Sequence, residues 1–193
     1  MNSSQNKYIT VYTEANPNPN SLKFVLNYLL VPEGSTYDFP DLASAQEGSP
    51  LAEELFKNFN FVKRVFVMSN FITITKDEQS TWHEVAADLK KFIKEYLEAG
   101  KPLLLQESNL SIDDNEPEID RKIKSILDEY VRPAVESDGG AIIFHSFEAG
   151  TVKVLLQGAC SGCPSSTLTL KQGIENLLTS MVPEVQEVVA EGI

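Results

Sequence analysis

Cys160 and Cys163 are the only cysteines of the chain, and they stand three residues apart in the run Gly-Ala-Cys-Ser-Gly-Cys-Pro. A C-x-x-C loop brings two thiols within reach of one metal centre, and Gly158 and Gly162 leave the backbone free to curl around it. Cys163 directly precedes Pro164, which suits the first position of a helix, where unpaired amides and the helix dipole favour a thiolate over a thiol. These features bias the pair towards nucleophile or ligand. Two cysteines packed as small hydrophobes are the plain alternative, and their spacing among glycines at a helix start argues against it.

Counting ligands separates the chemistries. A closed structural zinc site takes four protein ligands. The chain offers two thiols and two histidines, His83 and His145, which the pattern places in a helix and a strand as surface or core residues, so zinc within one chain is not expected. A dithiol-disulfide oxidoreductase is chemically open, because C-x-x-C lowers a thiol pKa, although the Cys-Gly-Pro-Cys signature and its tryptophan are missing. A third reading is an interaction module whose cysteine pair binds zinc between chains. Iron-sulfur clusters normally take four thiolates, which a two-cysteine chain supplies only together with a second copy or a partner. The simplest symmetric solution is a two-fold dimer with the cluster on its axis, and cluster binding is then linked to dimerisation by mass action. A cluster held in this way sits at a surface, as a removable cargo must.

The elements that would position this loop are legible on both sides of it. Residues EIDRKIKSILDEYVRPAVESDGG repeat apolar positions at helical spacing, with an interruption expected at Arg132-Pro133 and an end at Asp138-Gly139-Gly140, a loop that turns into a strand or flanks the site in space. AIIFHSFEAGTVKVLLQG predicts a hairpin around Glu148-Ala149-Gly150. A helix is expected from Pro164, where Ser165 and Ser166 fit its first turn or donate to cluster sulfur, and VQEVVA adds a last strand. Upstream, KYITVYT and Leu22 to Val31 read as strands separated by the turn NPNPN. SPLAEELFKNF reads as a helix with Pro50 at its first position, and VKRVFVMS and FITITK as strands joined at Asn70. A long helix begins at Thr81 with Glu84 completing a capping box and closes at Gly100. The expected fold class is α+β: two small α+β domains over residues 1–100 and 118–193, joined by an acidic linker 101–117. The C-terminal domain runs α-β-β-α-β with the C-x-x-C loop between strand and helix. No chemical constellation stands out in the first domain.

Composition narrows the partners. Of 193 residues, 42% are hydrophobic, 23% charged and 9% aromatic, which is ordinary for a globular protein and excludes wholesale disorder. With 16 Lys and Arg against 28 Asp and Glu the formal charge is −12, the wrong sign for a protein whose main partner is nucleic acid. No run approaches the roughly 18 apolar residues of a membrane span. The first residues, MNSSQNKYITVYTEANPNPN, lack the apolar stretch of a secretory leader and the arginines of a transit peptide. The expected location is a bacterial cytoplasm, with a processed mitochondrial form as the other option.

The run LLQGACSGCPSSTLTLKQGIENLL, preceded by RPAVESDGG and followed by VPEVQEV, resembles the C-terminal domain of NifU-type (Nfu) iron-sulfur scaffold and carrier proteins. TEANPNPNSLKF, YDFP, SPLAEELF and FVMSNFITITK resemble the N-terminal domain that accompanies it in Nfu proteins. The resemblance implies a non-enzymatic protein in which Cys160 and Cys163 ligate a cluster shared across a homodimer, most often 4Fe-4S, with 2Fe-2S as the alternative. It also implies an upstream assembly scaffold as cluster donor and apo iron-sulfur proteins as clients. Ala141 departs from the pattern, since many relatives carry an aspartate after the paired glycines. The scaffold and cysteine-rich central domains of full-length NifU have no counterpart in these residues, which favours delivery over synthesis.

Overall fold

The computed structural model describes residues 8–105, 117–161 and 164–192, with side chains in the last stretch from 168 to 191. Most of the expected linker, and Cys163 itself, therefore lie outside the described residues. The chain forms two compact units, one built from the elements up to Glu98 and one from those after Glu118.

In the first unit, β1 (Val11–Ala15), β2 (Ser21–Leu26), β3 (Thr36–Phe39), β4 (Val62–Met68) and β5 (Phe71–Lys76) form an antiparallel sheet in the order β1-β2-β5-β4-β3. Its apolar alternation sets the register: Leu22 pairs with Ile74, Phe24 with Ile72, Val65 with Ile74 and Val67 with Ile72. All of them are buried in one core with Leu51 and Leu55 of α2 (Pro50–Asn58) and Leu89 and Ile93 of α3 (Trp82–Glu98). Helix α2 starts at Pro50 as expected, and Ser49 caps it. Its Oγ accepts from the Ala52 N–H at 3.1 Å and donates to the Leu103 carbonyl at 2.6 Å.

Three local readings need correction. The strand expected over Leu22 to Val31 stops at Leu26, because the Leu30 and Val31 amides turn to donate to the Ser69 carbonyl at 2.7 and 3.1 Å. The strand expected over KYITVYT begins only at Val11, since the Asn27 side chain takes the Thr10 N–H and the Tyr8 carbonyl in place of a ladder. At the start of α3 the Thr81 hydroxyl donates to the Glu84 carboxylate at 2.7 Å, so the capping box is not closed onto the backbone. Short β3 and α1 (Leu42–Gly48) were not anticipated; α1 buries only Ala45 and carries no apolar period, but Asp41 caps it through the Ser44 N–H at 2.8 Å.

In the second unit, α4 (Glu118–Ile126) passes into a π-helical turn over Leu127–Val131 before α5 (Arg132–Ser137). The cause is Pro133, which has no N–H to continue an α-helical ladder. The Arg132 N–H reaches back to the Leu127 carbonyl instead, and the interruption expected here takes that form. Strands β6 (Gly140–Glu148) and β7 (Thr151–Gly158) pair antiparallel around Ala149 and Gly150, both with positive φ. Strand β8 (Glu187–Gly192) lies parallel to β7. A parallel neighbour needs a long crossover, supplied here by α6 (Pro164–Met181). Ile123, Leu127, Val135, Val154, Leu156, Ile174, Leu178 and Val188 close the core between helices and sheet. The order of this unit is α-β-β-α-β, as expected for an α+β protein, with the helix preceding β6 broken by the π turn. Among the described residues no helix is long and apolar enough to cross a membrane.

Leu156 is fully buried, so Leu156→Ala should cost about 2–5 kcal/mol in urea unfolding followed by circular dichroism, against no more than about 0.5 kcal/mol for an exposed change such as Gln172→Ala. The Tyr96 hydroxyl donates to the Pro102 carbonyl at 2.8 Å, and burial, with Glu54 and Glu53 adding to it, pushes the phenol from 10.0 up to about 12. The folded chain keeps a proton that the unfolded chain loses first, so stability should fall as pH rises from about 10 towards about 12. Tyr96→Phe should remove that part of the alkaline slope in denaturant melts taken across this window.

Candidate metal centre

Strand β7 runs out of the second core at Gln157 and turns at Gly158, whose φ of +63° is a conformation that glycine adopts without strain. The Ser161 N–H donates to the Gly158 carbonyl at 3.2 Å, closing a tight turn that carries Cys160. A second bond ties the turn to the other side of the hairpin: the Ala159 N–H donates to the Gly139 carbonyl at 3.2 Å. Gly139 has a φ of +78°, which lets the chain leave α5 and enter β6 within two residues, Asp138 and Gly139. The loop ends α5 and turns into β6, as expected, and its Gly139 carbonyl lies against the turn that carries Cys160.

The Cys160 side chain is buried, 9% exposed, and it packs at the edge of the second core. Cys163 and the side chains of Pro164, Ser165 and Ser166 lie outside the described residues. Helix α6 begins at Pro164, so the C-x-x-C run spans the passage from a strand end to a helix start. The other candidate donors are elsewhere. His83 is exposed on α3, in the other unit. His145 is exposed on β6 with Nδ1 3.4 Å from the Ser146 hydroxyl, five residues beyond Gly140, or about 16 Å along a strand. Among the described residues no group of three or more His, Cys, Asp or Glu side chains is placed to hold a metal ion. Ala141, the departure from the pattern, is buried and pairs with Gln157 in the ladder, so its position is part of the sheet. What the sequence did not reveal is that the Gly139 carbonyl anchors the cysteine turn; the adjacent glycines were the only signal.

Residues 11–100 match the family described as "Scaffold protein Nfu/NifU N terminal", and residues 123–189 match the "NifU-like domain". A human protein named NFU1 iron-sulfur cluster scaffold homolog, mitochondrial, is 41% identical over 185 residues, covering 94% of this chain and 72% of the relative. This chain belongs to the NFU1 iron-sulfur cluster scaffold family. NFU1 homologs of the same name from Drosophila persimilis and Drosophila willistoni are each 41% identical over 181 residues. The chain spans 64% and 62% of the length of these two fly relatives. A NifU-like protein from Saccharomyces cerevisiae, solved by solution NMR, shares 26% identity over 55% of this chain and 92% of its own, with a TM-score of 0.47. NFU1 proteins are named as scaffolds, which is not an enzyme class.

Because Gly158 sits in the left-handed region, Gly158→Ala should cost the second unit about 1–2 kcal/mol, read as a lower denaturation midpoint. Gly158→Asn should recover part of that loss, since asparagine tolerates this conformation better than alanine does.

Proposed function

We propose that this chain is an iron-sulfur cluster carrier. Two copies hold one 4Fe-4S cluster through Cys160 and Cys163 of each, take it from an upstream assembly scaffold and pass it to apo iron-sulfur proteins. The observation that carries the reading is the placement of Cys160 on a backbone-anchored turn at the end of β7, in a family of cluster scaffolds, with only one further thiol in the chain. Cluster chemistry takes four thiolates, and a chain with two is completed by its own copy. Ligands shared between chains suit delivery, because a competing thiol set need displace only two bonds before the dimer comes apart.

The relatives are named as mitochondrial proteins. Their names lend no support to the bacterial cytoplasm expected from the first residues and favour a mitochondrial location instead. The identity of the family leaves the dithiol-disulfide and interchain-zinc readings without a supporting observation.

Anaerobic reconstitution with iron and sulfide is the test. About four iron and four sulfide per two chains are expected, with loss of both in Cys160→Ser and in Cys163→Ser. Colour and iron retained in the double serine variant would contradict the ligand assignment, and zinc in protein purified without oxygen would favour an interaction module instead.

A further inference from the structure

The two glycines that enter β6 are needed for different reasons. Gly139 has a positive φ, so its requirement is conformational. Gly140 does not, and its requirement is steric: a Cβ built there would lie 2.6 Å from the Gln157 carbonyl oxygen, 2.7 Å from Cys160 Sγ and 3.2 Å from Cys160 Cβ. The first two distances are shorter than carbon tolerates against oxygen or sulfur. The Gln157 carbonyl belongs to the backbone at the end of the ladder, where Gly140 pairs with Gly158 and Ala141 with Gln157, so it yields only as far as that end of the ladder can shift. The Cys160 sulfur turns about one side-chain torsion, so it can shift with less disturbance than the backbone.

We propose that Gly140 is a positioning residue for the Cys160 thiol. Its missing side chain is the space against which Sγ rests, and together with the bond from the Ala159 N–H to the Gly139 carbonyl it fixes where the sulfur sits and how far water and oxidants reach it. The consequence for cluster retention rests on Cys160 being a ligand; the placement of the thiol does not.

Two measurements on metal-free full-length protein test the placement. The first is the alkylation rate of Cys160 by iodoacetamide in a Cys163→Ser background, with folding checked by circular dichroism. Gly140→Ala should speed alkylation by about tenfold or more, since a thiol pushed off its 9% exposed position reacts more freely. Gly173→Ala, in α6 with open space around the added carbon, should leave the rate unchanged. The second is a double-mutant cycle: Gly140→Ala should lower the denaturation midpoint less in a Cys160→Ala background than in the parent, because the contact with Sγ is gone. If Gly140→Ala alone does not fold, the pair Gly140→Ala with Cys160→Ala should fold. An unchanged alkylation rate, an equal midpoint loss in both backgrounds, or failure of the pair to fold would each overturn the proposal and leave Gly140 as a contact of the Gln157 backbone only. With the cluster loaded, Gly140→Ala should release iron to a chelator faster than the parent and Gly173→Ala should match it. If instead the cysteine-to-serine variants keep their cluster while the alkylation and cycle results hold, it is the ligand assignment that fails.

Discussion

The bond between the Ala159 N–H and the Gly139 carbonyl joins the end of the hairpin to its beginning, at the one place where the chain carries thiols. A loop between a strand and a helix is ordinarily free to move, and a ligand on such a loop is poorly placed. Here β6 and β7 are locked in register by a core of Ile142, Val152, Val154 and Leu156, and the bond transfers that rigidity to the residue before Cys160. Each partner of the bond depends on something further back. Gly139 can present its carbonyl because the chain leaves α5 in a left-handed turn, and α5 points there because Pro133 has converted the preceding turn into a π-helix.

The three-stranded sheet serves the same purpose from the far side. Strand β8 lies parallel to β7, and the crossover this requires is α6, whose first residue, Pro164, directly follows the C-x-x-C run. The Glu175 carboxylate of α6 accepts the Val188 N–H at 3.0 Å, which fixes the return strand to the helix. Cys160 thus follows a strand whose position relative to α6 is set by packing far from the thiol. Residues so placed need not contact a cargo to affect how it is held.

The sequence made the second unit legible because its signals were redundant: apolar periodicity, Pro164 at a helix start, a glycine-bearing hairpin turn and the cysteine spacing all agree. It was less informative where one weak signal stood alone. Helix α1 buries only Ala45, so no hydrophobic stripe announces it, and Asp41 with Ser44 is its sole marker. Strand β2 looked longer than it is because Leu29, Leu30 and Val31 continue an apolar run, while the pairing that ends it comes from Ser69 in a distant turn. Thr81 and Glu84 have the spacing of a capping box, yet the hydroxyl satisfies the carboxylate directly. Gly140 was invisible for a different reason: its ordinary φ hides a steric need that appears only when Cys160 is folded against it. The cysteines themselves were found by spacing alone, since two thiols in 193 residues leave nothing to choose between.

As proposed, the site is half of a ligand set and becomes whole with a second copy of the chain. Native mass spectrometry of the protein reconstituted without oxygen tests it most directly, because one spectrum reports chains and metal together. The expected species is two chains carrying the mass of a single 4Fe-4S cluster, which collapses to single chains when the cluster is removed by a chelator. A single chain retaining a cluster, or a dimer of unchanged abundance with and without iron, would contradict it.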